Sequence, residues 1–297
     1  MTTAEFEERA YEAPLYNQLE RGQRDIFTPG QVLENQLGFD RGILLAQASL
    51  WETLGYKDPL RGAALAYYDW PYGWGPPRPR AQLPRFKLNL FLQAKRPVFY
   101  KKTPRVLKGL RGIGAPLWAF HVTHHQQRLL EVLARTTRGR AHVAYASAAF
   151  HTNSALFMHT RHRTVVNNST FPSAEALAGH EAWYYERPGA SGAANPDPEL
   201  IEDLPLLTRV RAMAHDSDMG ADGDLAWLPA MSESVIAAAS TGELEVDASR
   251  AQFFDDLQTL DRLGESYDLH PNLRAYTRVL LFTIRFDLSW LIVAGTV

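Results

Sequence analysis

Residues 88–96, Leu-Asn-Leu-Phe-Leu-Gln-Ala-Lys-Arg, decide how the chain is read. The run from Phe86 to Ala94 is the clearest strand signal in the sequence, short, apolar and bounded by polar residues. Side chains alternate across a strand, so Gln93 and Lys95, two positions apart, fall on one face at its end. A polar pair at the end of an apolar strand is where many α/β proteins keep their chemistry. The plainer reading is a core strand followed by solvated cations.

Outward from this strand the pattern is α/β. Trp118–Val122 is expected to be a short strand, Thr123 to cap a helix over HHQQRLLEVLARTT, and Ala141–Phe150 to be another strand. On the N-terminal side, Thr28, Pro29 and the apolar positions Val32, Leu33 and Leu37 predict a short helix that Gly38 stops, with Glu34 beside its apolar face and Asp40 just beyond. Residues 71–84, PYGWGPPRPRAQLP, are a loop by composition. Residues 97–116 are basic and broken by Gly and Pro, which predicts a loop or irregular β segment. After Phe150 regularity fades into a Gly- and Pro-rich stretch. Helices are then expected over Glu199–Ala214, Met231–Ser240, Ala251–Gly264 and Asn272–Val293. The organisation read from this is an arm or helix at 1–27, an α/β core with a mixed sheet at 28–170, and an appended, mostly helical, acidic region at 171–297.

A chain of 297 residues with 45% hydrophobic and 22% charged residues has the composition of a soluble globular protein. The absence of cysteine excludes disulfides, thiol catalysis and cysteine-ligated zinc. The N-terminal stretch MTTAEFEERAYEAPL has neither a basic nor an apolar leader pattern, so a cytoplasmic location is expected. The apolar stretch Val279–Val293 is interrupted by Arg285 and Asp287 and reads as a buried helix, with no membrane partner implied.

The net charge of −2 hides an asymmetry. Residues 78–140 carry 15 Lys or Arg against one acidic residue, a segment charge of +14, and residues 175–270 carry 20 Asp or Glu against five Arg, a segment charge of −15. Either a polyanion-binding part lies beside an acidic part, or the two neutralise each other across an interface. Arg78, Arg80, Lys101, Lys102, Arg105, Lys108 and Arg111 are the candidate contacts to a phosphate backbone, with His124 and Gln126 at the start of the following helix. A solvated positive face is their ordinary alternative. The histidines are dense around 121–180 but show no HExxH or comparable metal spacing. No GxGxxG, GxxxxGK[ST] or GxSxG motif is present, which argues against nucleotide-cofactor and serine-hydrolase classes.

Glu34 on a helix, Asp40 after it, Gln93 and Lys95 at a strand end, and a helix with Gln126 before a further strand form an order that resembles the PD-(D/E)XK nuclease superfamily, the restriction-endonuclease-like fold. The QxK form of its motif resembles the Mrr-like branch. The resemblance covers residues 28–150. It implies that Glu34, Asp40 and Gln93 hold Mg²⁺ or Mn²⁺, with Asp69 as the alternative to Asp40, and that Lys95 is the catalytic lysine. It further implies a metal-dependent deoxyribonuclease, with a role in prokaryotic restriction or antiphage defence. Other readings are a non-catalytic nucleic-acid-binding or sensor module on the same fold, and an assembly protein. A homodimer or a defence-system partner bound through the acidic C-terminal region is the protein contact these readings allow.

Overall fold

The computed structural model describes residues 1–22, 26–27, 86–216, 226–241, 248–266 and 271–294. The predicted helix around Glu34, Asp40, Asp69 and the loop carrying Arg78 and Arg80 lie outside the described residues. The described elements run β1 (Thr2–Thr3), α1 (Glu8–Gly22), β2 (Ile26–Phe27), β3 (Phe86–Lys95), β4 (Val98–Tyr100), β5 (Leu117–His121), α2 (His124–Thr136), β6 (Ala141–Ala148), α3 (Asn153–His162), β7 (Ser169–Thr170), β8 (Ala182–Tyr185), β9 (Gly192–Asn195), β10 (Glu199–Ile201), α4 (Leu206–Asp216), α5 (Trp227–Ser240), α6 (Ala248–Ser266), α7 (Pro271–Arg285) and β11 (Ser289–Ala294). They build a mixed α/β architecture with two sheets and a helical C-terminal region.

The first sheet has the order β2-β11-β3-β6-β7, with β3 and β6 parallel and the other neighbours antiparallel. Its central strand β3 is covered on both faces, which is why it reads as a nearly continuous apolar run rather than a clean alternation. Leu88, Leu90, Leu92 and Ala94 pack with Tyr11, Leu15 and Leu19 of α1 and with Leu206 and Val210 of α4. Phe91, on the opposite face, joins Leu129, Leu130 and Leu133 of α2 and the apolar faces of α5 and α7. Helices therefore flank this sheet on both sides.

The second sheet, β1-β4-β5-β8-β9-β10, is antiparallel throughout. Strand β5 shows the period-2 pattern that places it. Phe120, with Trp118 packed alongside, faces the main core with Trp183 and Tyr185, while Leu117 and Ala119 face a smaller cluster closed by Leu107 and Ile113 of the basic segment. Only Arg96 and Pro97 separate β3 from β4, so the chain passes from one sheet to the other immediately after Lys95.

Two expected helices are corrected. Residues Glu199–Ile201 form the edge strand β10, and the helix begins only at Leu206. Pro205 disfavours the helical conformation at Leu204, so a helix from Glu199 cannot run through. The helix expected over Asn272–Val293 ends at Arg285. Asp287 then takes a left-handed conformation with φ 54°, and SWLIVA pairs as β11 between β2 and β3. The last strand of the acidic half thus lies in the same sheet as Lys95. The ring of Trp290 stacks on Phe91 at 6.3 Å between centroids, and its indole N–H donates to Asn89 Oδ1 at 2.9 Å. Thr123 occupies the cap position of α2 with extended backbone, but its side chain makes no capping bond. Among the described residues no helix is long and apolar enough to cross a membrane.

His142 on β6 is 5% exposed, and among the described residues its Nε2 has no hydrogen-bond partner. Burial first, and then the Arg209 guanidinium, push its pKa down from 6.5 to about 4. The folded state therefore prefers neutral His142, and the stability this gives is present above pH 6.5 and lost as pH falls toward 4. Urea unfolding is expected to show on the order of 3 kcal/mol lost from this group between about pH 7 and pH 4. In His142→Leu, that part of the pH dependence should vanish while the contributions of the carboxylates remain.

Candidate functional site

The site is built at the C-terminal end of the parallel pair β3 and β6, where Gln93 lies beside Tyr145 and Lys95 beside Ser147. Gln93 is 1% exposed, and among the described residues neither its amide oxygen nor its amide nitrogen has a hydrogen-bond partner. A buried amide left without partners costs on the order of 1–3 kcal/mol, so its position asks for an explanation.

Lys95 is half-buried on the same strand face. Its ammonium donates a hydrogen bond to Gln126 Oε1 on the first turn of α2 and lies 5.8 Å from the centre of the Tyr145 ring. Burial lowers the Lys95 pKa from its ordinary value, while the carboxylates of Glu8 and Asp287 oppose that shift. The support continues behind it. Tyr145 O–H donates to Gln127 Oε1 at 2.7 Å, and Gln127 Nε2 donates to Glu131 Oε1 at 2.9 Å and to the Ala174 carbonyl at 2.8 Å. On the strand side, Ser147 Oγ donates to the Lys95 carbonyl at 2.9 Å, and the Tyr185 hydroxyl shares its one proton between the Ala148 carbonyl at 2.6 Å and Ser147 Oγ at 2.9 Å. Both sides of the Lys95 backbone and side chain are thereby tied to neighbouring elements.

Of the residues singled out from sequence, Gln93, Lys95 and Gln126 come together here. His124, one turn-start position away on α2, is exposed. Lys101, Lys102, Arg105, Lys108 and Arg111 are all exposed on the segment between β4 and β5, and among the described residues none of them forms an ion pair. Glu34, Asp40, Asp69, Arg78 and Arg80 lie outside the described residues.

A feature not anticipated is an open cleft of about 630 Å³ whose lining includes Glu7, Glu8, Glu12, Arg96 and Asp287. Burial, reinforced by Asp287 and Glu8, raises the Glu12 pKa from 4.5 to about 7. Glu8 and Glu12 stand one helical turn apart on α1, a spacing visible in the sequence. Their approach to Asp287 was not visible there, because it depends on where α7 ends. Among the described residues no group of three or more His, Asp or Glu is arranged to hold a metal ion. Compared with known protein-family models, curated proteins and solved structures, the chain matches none.

Proposed function

We propose that the chain is a metal-dependent nuclease of the PD-(D/E)XK, restriction-endonuclease-like kind, hydrolysing phosphodiester bonds of DNA, with a role in prokaryotic defence. The observation that carries this reading is the pairing on one strand face of Gln93, a buried amide with both polar atoms unpartnered among the described residues, and Lys95, a half-buried ammonium held by Gln126. The amide oxygen of Gln93 fits the oxygen-only donor set that Mg²⁺ or Mn²⁺ requires. Glu34 and Asp40, or Asp69 in place of Asp40, would supply the carboxylates. The cation would contribute neutralisation of charge on the scissile phosphate and a more acidic water.

The chain's own groups have separate tasks. Lys95 donates a hydrogen bond toward the negative charge that grows on the phosphate oxygens, and Gln126 and the Tyr145 ring fix where that donor points. Lys101, Lys102, Arg105, Lys108 and Arg111 hold the phosphate backbone on the segment between β4 and β5, which begins six residues after Lys95.

The test is incubation of the purified chain with plasmid and linear DNA in Mg²⁺ or Mn²⁺. Cleavage is expected with either metal and is expected to stop in EDTA and in Asp40→Ala. Uncut DNA with every divalent cation would overturn catalysis. The neutral Gln93 favours one second reading, a non-catalytic nucleic-acid-binding module, and DNA binding without cleavage would establish it. Reversing Lys101, Lys102 and Arg105 to Glu is expected to weaken binding regardless of base sequence and to flatten the salt dependence by roughly 0.9 per lost phosphate contact on duplex. Fluorescence anisotropy across a salt series measures both, and an unchanged slope would remove the segment from the interface.

A further inference from the structure

Helix α3 exposes two large apolar side chains besides those it turns to the core. None of its residues is fully buried. Ala155 and Leu156 are its partly buried contacts with the core. The outward side carries Phe157 at 70% exposure and Met158 at 46%. One turn further, Arg161 falls in the row of Phe157 and His162 in the row of Met158. Arg163 follows at the left-handed cap, φ 55°. Arg161, His162 and Arg163 are exposed, and none has an ion-pair partner among the described residues. An apolar pair followed by three exposed basic side chains is not the surface of a helix evolved only to face water.

The position of α3 connects it to the site. It leaves the C-terminal end of β6, the strand whose Ser147 lies beside Lys95. The His151 ring, two residues before the helix, stacks on Phe99 of β4 at 4.2 Å and 6°. Strand β4 leads into the basic segment, so two sets of exposed cations diverge from the sheet end that carries Lys95.

We propose that the outward face of α3 is a stacking platform for single-stranded nucleic acid, with Phe157 and Met158 against base faces and Arg161, His162 and Arg163 against the phosphates. The choice of occupant rests on charge complementarity and on continuity with the site, and it therefore rests on reading that site as one that takes nucleic acid. Unpaired bases present free faces to an aromatic or thioether side chain, whereas a duplex keeps those faces inside its own stack. Cations one turn beyond the apolar pair match a backbone that runs alongside its bases.

The experiment measures binding of the full chain to a fluorescein-labelled oligo-dT of about 20 nucleotides, and to a duplex of matched length, by anisotropy in EDTA, so that cleavage plays no part. Wild type is expected to bind the single strand. Phe157→Ala with Met158→Ala is expected to weaken that binding about tenfold or more while changing duplex binding little, and Phe157→Trp to restore it. Arg161→Ala with Arg163→Ala is expected to lower the salt slope on the single strand by roughly 0.7 per phosphate released. All four side chains are exposed, and circular dichroism checks that each variant melts as wild type does. Unchanged single-strand affinity in the apolar double variant overturns the proposal, as does failure of wild type to bind oligo-dT. A changed molecular mass in light scattering with unchanged DNA affinity also overturns it, and makes the face a protein contact. Loss of single-strand binding in a chain that never cleaves DNA in Mg²⁺ upholds the platform and defeats only the nuclease reading; cleavage with an indifferent α3 does the reverse.

Discussion

Lys95→Ala is expected to slow Mg²⁺-dependent DNA cleavage by about 10²–10⁴-fold while leaving the fold and the affinity for DNA nearly unchanged. The expectation follows from what surrounds the ammonium. Burial makes the charged form of Lys95 costly, so the side chain is not there to stabilise the fold. Its removal frees Gln126 Oε1, which sits on the half-buried first turn of α2 and can turn to water. Thermal melting should therefore move little. The phosphate contacts assigned to the segment after β4 remain, so binding in EDTA should persist. Lys95→Arg is not expected to rescue the rate, because a planar guanidinium cannot occupy the place of a compact ammonium between Gln126 and the Tyr145 ring. Single-turnover cleavage measured beside melting separates these effects. A rate within about threefold of wild type would remove Lys95 from the chemistry.

Trp290→Ala is expected to cost about 3–5 kcal/mol of stability, out of the roughly 5–15 kcal/mol that holds a typical domain together. The indole is buried on β11 against Phe91, Trp227 and Tyr276, so it joins the central strand to the C-terminal helices. Truncation leaves a large cavity there and removes the donor to Asn89 Oδ1, a buried acceptor whose own amide N–H bonds the Arg140 carbonyl. Trp290→Phe keeps the apolar contact and should cost clearly less, which apportions the loss between packing and hydrogen bond. Urea denaturation gives both values. A loss below about 1 kcal/mol in the alanine variant would mean that β11 contributes little to the sheet.

The elements that could be read from sequence are those whose periodicity and borders agree. The strand ending in Lys95, the strand at 117–121, helix α2 and strand β6 all combine a clean apolar pattern with polar or Gly boundaries. Strand β11 was hidden because a short apolar run following a helical pattern looks like more helix, and only the three residues 286–288, with Asp287 left-handed, separate them. Most of the second sheet was hidden because strands of two to four residues carry little local signal and are defined by partners far along the chain. The same division holds at the site. Gln93 and Lys95 were visible because strand alternation alone puts them on one face. The hydrogen-bonded row of Tyr145, Gln127 and Glu131 behind Lys95, and the meeting of Glu8, Glu12 and Asp287, are products of tertiary packing. No spacing rule in a single sequence reports them.

The span from Lys95 to Val98 has a consequence for how the protein moves. Arg96 N–H donates to Glu8 Oε1 at 3.0 Å, Arg96 Nε donates to the Ala4 carbonyl at 3.0 Å, the Ala4 N–H donates to the Pro97 carbonyl at 2.9 Å, and Thr2 and Thr3 pair with Phe99 and Val98. The first eight residues thus act as a clasp over the point where the chain changes sheets. A connector held this way does not behave as a hinge, and its Arg96 amide should exchange with deuterium as slowly as a strand interior. Releasing the clasp by deleting residues 1–5 together with Glu8→Ala, which removes the acceptor of the Arg96 amide, should speed that exchange, and the loosened register would reach Lys95 before any other part of the site.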